Sequence, residues 1–316
     1  MNDMKNMHLI VKIQCGLGNQ MFQYAFGKVL SKKTGVDVLF DINDYIASEK
    51  TIVGNTGRNK DGMIVSRYGL DIFNLDIKYA TREQAEKCIN LKRKRNTYLP
   101  GCLRKMFKIN KWNETSNKIA ESMYCDYTDE YFYPKKDAYY VGYFQNEKYF
   151  AGYEDEIRSY FRFPEFAADD TFNCNWLDKI KQAENSVMIH IRRGDYLQLG
   201  WQITEDYYKN AVKLIQEKVS NPKFFVFGCE TEDYVKNVFD IGVDYSYIGE
   251  TNHNNNQDWK DLKLMSECRH AIIANSSFSW WAAYLKSDKD KIVVAPTPWL
   301  LGRDDTVCAS WYKISA

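Results

Sequence analysis

The stretch "SVMIHIRRGDY", residues 186–196, joins an apolar run directly to two arginines, a glycine and an aspartate. Read as a strand over 187–191, it places Val187, Ile189 and Ile191 on one face and His190 and Arg192 on the other. Open α/β sheets bind ligands just beyond the carboxyl ends of their strands, so His190 and Arg192 project toward a ligand position. Arginine carries a permanent charge and a rigid fork of donors that suits phosphate oxygens. Gly194 permits a sharp turn behind the arginines. Two other readings compete: an inter-domain salt bridge, and the cell-adhesion tripeptide Arg193-Gly194-Asp195. The tripeptide needs an exposed, flexible loop outside the cell, and here it abuts an apolar strand.

Downstream, hydrophobic periodicity predicts a helix over 205–219, a strand over 223–228, a short helix over 233–239 and a helix over 258–269. A strand over 271–274, a helix from about residue 279 or 280 to 286 and a strand over 291–296 follow. Upstream, the chain opens with a strand over 9–13, a glycine turn over 14–20 and a helix over 21–32. Phe22, Ala25, Phe26, Val29 and Leu30 recur at helical spacing, and Gly35 stops the pattern. "VDVLFDI", residues 36–42, is the second strand of this βαβ opening, which implies a parallel sheet. A chain of 316 residues exceeds one typical core. The expectation is α/β with two Rossmann-like domains, 1–165 and 176–316, joined through the aperiodic stretch 161–175.

Composition narrows the function classes. With 45% hydrophobic and 27% charged residues the chain is globular, and a net charge of +1 gives no field for nucleic acid. Eight scattered cysteines contain no CxxC pair, which argues for reduced thiols and against a zinc site. The apolar run at 9–13 is too short for a signal or a membrane span. The expected compartment is the cytoplasm, with any membrane contact peripheral. Residues 48–140 are irregular and polar. Within them Lys92, Arg93, Lys94, Arg95, Arg104, Lys105, Lys108 and Lys111 form a basic segment without acids. It reads as a solvated helical face, or as a patch for anionic lipid or an acidic glycan.

Three further constellations carry chemistry. Gly16, Gly18, Asn19 and Gln20 sit between a strand and a helix, where glycines allow close backbone approach. Met21 occupies the place of the third glycine of a dinucleotide fingerprint, so that motif is absent; a plain tight turn and a ligand loop both fit. On a helical wheel over 258–268, Asp261 lies within the stripe of Leu262, Leu264, Met265 and Cys268, with Lys260, Lys263 and Glu267 opposite. A buried carboxylate must be paired: Arg269, a backbone cap or the N–H edge of a guanine would serve. Asn275, Ser276 and Ser277 lie at a strand-to-helix turn that can seat a phosphate, with Ser279 as helix cap. Trp280, Trp281 and Tyr284 read as core. The one D-x-D, Asp288-Lys289-Asp290, lies among lysines in a turn, and four histidines offer little for a metal, so no metal site is expected.

"GLGNQMFQYAFGK", "HIRRGDY", "DLKLMSEC" and "ANSSFSWWAAYL" occur in the order seen in bacterial α1,2-fucosyltransferases, glycosyltransferase family 11, which this chain resembles from residue 13 to about 299. The resemblance implies a GT-B-like fold whose two domains face a cleft. It implies inverting, metal-independent transfer of fucose, without a cofactor, from GDP-L-fucose to the 2-hydroxyl of a terminal β-galactose in O-antigen or related glycan synthesis. By similarity, Arg192 would hold the β-phosphate, with Arg193 beside it. His190 and Asp261 would contact guanine, Asn275, Ser276 and Ser277 would form the phosphate turn, and Asn19 would line the acceptor side with its glycine turn. Asp195 is the candidate base. Another GDP-sugar-dependent glycosyltransferase and a non-catalytic carbohydrate-binding or adhesive module are the alternatives.

Overall fold

A computed structural model describes residues 7–51, 60, 66–95, 112–121, 127–228, 231–237, 241–249, 257–286, 288–302 and 304–316. In the first half, β1 (Leu9–Lys12) leads into α1 (Leu17–Thr34), β2 (Val38–Asp41) and α2 (Asn43–Glu49). After α3 (Arg82–Ile89), β3 (Lys92–Arg95) pairs antiparallel with β4 (Trp112–Thr115), and β5 (Lys118–Ala120) and β6 (Ala138–Val141) complete the unit. The strands β2-β1-β6-β5 form one sheet, parallel throughout.

Two helices, α4 (Glu154–Tyr160) and α5 (Thr171–Gln182), precede β7 (Ser186–Ile191). Then come α6 (Gly194–Leu199), α7 (Glu205–Lys218), β8 (Lys223–Gly228), α8 (Glu232–Asn237) and β9 (Tyr245–Gly249). The chain closes with α9 (Asp258–Glu267), β10 (His270–Ile272), α10 (Ser277–Leu285), β11 (Val293–Thr297) and β12 (Tyr312–Ser315). The second sheet, β12-β11-β10-β7-β8-β9, is also parallel throughout. Counted from β7, its order is 3-2-1-4-5-6, the dinucleotide-fold arrangement, whose direction reverses between β7 and β10. The expectation of two Rossmann-like parallel sheets is met.

Burial explains the layers. Val187, Ile189 and Ile191 pack with Tyr207, Ala211 and Ile215 of α7 on one face of the second sheet. Met188 joins the larger core on the other face, which also contains α1, α9 and α10. There Phe22 meets Trp280 and Trp281 at ring distances of 4.5 and 4.8 Å. Trp280, Trp281 and Tyr284 are thus core residues. A buried patch of this kind between α1 and α10 ties the two sheets together, since apolar burial stabilises by roughly 25 cal/mol per Å².

Several local expectations need correction. Helix α1 begins at Leu17, so Gly18, Asn19 and Gln20 belong to its first turn rather than to a loop; Gly16 is its cap and Gly35, at φ 69°, ends it. Helix α10 begins at Ser277 because Ser276 caps it, its hydroxyl accepting from Phe278 N at 3.3 Å. Ser279, the expected cap, instead donates to Ala274 O. Part of the supposed linker is helical: Asp170 accepts from Asn173 N and starts α5. Lys92–Arg95 is a strand, not a helical face; Arg104, Lys105, Lys108 and Lys111 lie outside the described residues. Lys263 is buried, not solvated, donating to Pro164 O and to the Glu165 carboxylate while lying over Phe166. Segment 163–170 covers that side of α9, which a helical wheel cannot foresee.

Candidate active site

The reversal point between β7 and β10 gathers most of the residues singled out in the sequence. Ile189 pairs with Ile272, so the ends of the two strands lie side by side, one running into Arg192 and the other into Asn275. His190 is buried, with its ring 6.1 Å from that of Phe278 in the first turn of α10. Its Nδ1 has no hydrogen-bond partner among the described residues. Burial, and secondarily the charge of Arg192, push its pKa down to about 3, so the imidazole is neutral at physiological pH. A neutral, buried ring with an unmet nitrogen suits a ligand's hydrogen bond.

The two arginines diverge. The Arg192 guanidinium lies 5.3 Å from the ring centroid of Tyr196, and the Tyr196 hydroxyl donates to Asn275 O at 3.3 Å. Arg193 caps α6 and lies over Tyr234, 4.9 Å from the ring centroid. It also lines an open depression with Gln202, Ile203, Thr204, Glu205 and Asp206. Arg192 is thereby tied to the serine turn and Arg193 to α8. Gly194 and Asp195 begin α6 rather than a sharp loop, and Arg193 is its N-cap, so the adhesion tripeptide forms a helix start. The Asp195 side chain lies outside the described residues. Asn275 is buried, its Nδ2 donating to Trp201 O at 2.9 Å, and its Oδ1 has no partner among the described residues. Ser276 and Ser277 form the turn itself. Asp261 is buried in the first turn of α9, a helix packed on α10. Arg269 is engaged by Asn185 and Asp288. Asp288 also caps Asp290 N, which occupies the D-x-D in a structural turn.

The glycine turn of the first sheet closes onto this site. A Cβ on Gly18 would stand 2.6 Å from the Ser277 carbonyl carbon and 2.7 Å from Phe278 N, so only glycine lets α1 reach α10. Trp281 Nε1 donates to Gly18 O at 2.9 Å across the same contact. Beside it, Gln145 Nε2 donates to Asn19 Oδ1 at 2.6 Å. Gln20 does not line the site: fully buried, it bonds Cys15 O, Arg67 O and Gly69 N. Gln23, which sequence reasoning missed, staples the loops after β1 and β6 by accepting from Gln14 N and donating to Gly142 O. Cys15 at φ 67° and Phe144 at φ 51° are non-glycine residues in the left-handed region. Such positions cost about 1–3 kcal/mol each and persist where the surroundings impose them. Phe144 is held by stacking on Phe26 at 4.0 Å and by the Glu121 carboxylate, which accepts from Tyr143 N and Phe144 N.

The sequence model of glycosyl transferase family 11 matches residues 8–303, nearly the whole chain. The chain belongs to that family. It is 29% identical to an alpha-1,2-colitosyltransferase of Escherichia coli, covering 97% of this chain and 98% of that protein. A human galactoside alpha-(1,2)-fucosyltransferase 1 is 31% identical over 105 residues, 31% of this chain and 28% of that protein. Among solved structures, NodZ alpha-1,6-fucosyltransferase co-crystallized with GDP aligns with a TM-score of 0.44 at 10% identity, over 88% of this chain and 92% of that one. This family 11 glycosyltransferase has no cluster of three or more His, Cys, Asp or Glu side chains set to hold a metal among its described residues. None of its described helices is long and apolar enough to cross a membrane. The five described cysteines are free thiols.

Proposed function

We propose that this glycosyltransferase moves L-fucose from GDP-L-fucose to the 2-hydroxyl of a terminal β-galactose, with inversion and without a metal, during synthesis of an O-antigen or related glycan. One observation carries the reading most: the buried His190 Nδ1, without a partner among the described residues, beside Arg192 at the reversal point of a parallel nucleotide-type sheet. In the proposed reaction the acceptor oxygen attacks the anomeric carbon, the bond from that carbon to the β-phosphate oxygen breaks, and GDP leaves with the electron pair. Negative charge grows on the β-phosphate as that bond stretches. Arg192 and the N–H groups at the start of α10 stabilise it as preorganised positive charge. His190 and Asp261 hold the guanine, and Arg193 braces the arginine loop. The acceptor enters past Asn19 and the glycine turn. Its proton passes to Asp195, unless the transition state is loose enough to release it to water. An Asp195→Asn variant that binds GDP and keeps the normal rate removes Asp195 as base.

A second reading, GDP-colitose as donor, is favoured by the colitosyltransferase relative, which matches over 97% of the chain. Colitose is fucose without one ring hydroxyl, so donor choice rests on a single hydrogen-bonding position. Titration with GDP, UDP and ADP tests the base, and we expect GDP to bind tightest. Incubation with each donor and a panel of β-galactosides, followed by linkage analysis and repeated with a chelator, tests the rest. A product with any other linkage, or loss of activity on chelation, overturns the corresponding part. Peripheral contact of the basic segment with anionic lipid belongs to the same proposal; unchanged vesicle partitioning after neutralising Lys92, Arg93, Lys94 and Arg95 removes it.

A further inference from the structure

We propose that Tyr196 is a positioning residue for the transfer step, setting Arg192 and the serine turn at a fixed mutual distance. The inference deepens the functional reading above and rests on it. Tyr196 stands four residues beyond Arg192 in α6, and its aromatic face meets the guanidinium at 5.3 Å, within cation–π range. Its hydroxyl donates to Asn275 O, the carbonyl directly before Ser276. The same two loops are joined again through Trp201. Its N–H donates to Tyr196 O at 3.0 Å, its ring meets Tyr196 edge-on at 5.7 Å, and its carbonyl accepts from Asn275 Nδ2 at 2.9 Å. The loop after β7 and the turn after β10 thus close into one ring of contacts with Tyr196 at the centre.

A guanidinium on a long side chain is not positioned by its backbone, because several rotatable bonds separate charge from Cα. Charge stabilisation in a transition state demands placement within about 0.5 Å, which a ring locked by its own hydrogen bond can enforce. Tyr196 touches neither reacting atom in this scheme and acts through Arg192.

The test is a double-mutant cycle, read in kcat for transfer from GDP-L-fucose to lactose and in GDP affinity by titration. Tyr196→Leu removes ring and hydroxyl, and we expect at least a tenfold loss of kcat with a GDP Kd changed less than threefold. Tyr196→Phe keeps the ring and its packing, removes only the hydroxyl, and should lose about two- to fivefold. In the Arg192→Ala background both substitutions should change kcat by less than twofold, because the group they position is gone. A merely structural tyrosine would cost the same factor in both backgrounds, and that result, or a wild-type kcat in Tyr196→Leu, overturns the proposal. Failure of the functional reading looks different: the unaltered protein would then neither bind GDP nor form product.

Discussion

The loops at the ends of the two sheets are built on opposite principles. After β7 and β10, buried polar atoms such as His190 Nδ1 and Asn275 Oδ1 have no protein partner among the described residues. After β1 and β6, three amide side chains bond to the protein itself: Gln20 and Gln23 are fully buried and spent on backbone groups, and Asn19 pairs with Gln145. Strain, too, lies on this second side, at Cys15 and Phe144. Leaving a buried polar group unmet costs about 1–3 kcal/mol, which a ligand that supplies the hydrogen bond recovers. On the proposed reading, one side offers unmet groups to a ligand, and the amides of the other keep its shape through internal bonds. That is the division expected when a tightly held nucleotide meets a more weakly held acceptor.

The sharpest way to break this contrast is at Arg192. If the donor side works by preorganised charge, Arg192→Ala should lower kcat by about 10²–10³ and leave the fold intact, since the residue is only half-buried. Steady-state kinetics beside a thermal melt checks it. Wild-type-like turnover would transfer the charge-stabilising role away from this residue.

The next largest effect should come from the contact that unites the two sides. In Gly18→Ala the added Cβ would overlap the Ser277 and Phe278 backbone, which cannot swing aside as a side chain tip would. Overpacking of this kind costs about 1–3 kcal/mol, more than the roughly 0.5–1 kcal/mol that alanine gains inside a helix. We expect a lowered melting temperature together with a kcat reduced about tenfold, because α1 and the serine turn must separate. A stable, fully active Gly18→Ala protein would show that the two turns need not touch for catalysis.

Much of this was legible in the sequence, for a physical reason. Strongly apolar segments such as 187–191 and 223–228 lie in the sheet centre, where burial on both faces demands unbroken hydrophobicity. Strands β5 and β12 escaped notice because they are mainly exposed and carry lysines and serine. Strand β6, "AYYV", is buried but only four residues long and tyrosine-rich. Helix starts were misplaced where caps compete: Ser276, Ser277 and Ser279 all suit a cap, and Ser276 takes the role by accepting from Phe278 N while Ser279 donates back to Ala274 O. His190 and Arg192 were readable from strand phase, while Tyr196, Gln145 and Gln23 were not. Their roles depend on partners 79, 126 and 119 residues away, and no local pattern encodes such pairings.

On the acceptor side, the Asn19–Gln145 pair offers a finer test. Gln145→Ala frees Asn19 and removes a half-buried carboxamide beside the glycine turn. If this side serves the acceptor alone, lactose KM should rise about three- to tenfold, as one or two hydrogen bonds are worth, while GDP affinity stays within twofold. A matching loss of GDP affinity would make the pair a general brace, and the contrast between the two sides would blur.

The smallest effect concerns protons, and it too should belong to one side only. His190 takes up a proton near pH 6.5 when unfolded, but only at about pH 3 in the folded protein, because it is buried next to Arg192. Between those values the unfolded state binds more protons, so stability rises with pH across the window and is lost as pH falls below 6.5. The slope from one such group is at most about 1.4 kcal/mol per pH unit. His270, lowered mainly by burial and then by Arg269, contributes with the same sign. Chemical denaturation at pH 7 and pH 5 should show a clear loss for the unaltered protein and a smaller one for His190→Gln, which has nothing to protonate there. The amides Gln20, Gln23 and Gln145 are neutral throughout, so Gln145→Ala should leave the pH dependence unchanged. Equal slopes in the unaltered protein and His190→Gln would mean that the folded protein protonates His190 readily. The ring would then meet the nucleotide as a cation, and the donor side would rely on charge at two positions instead of one.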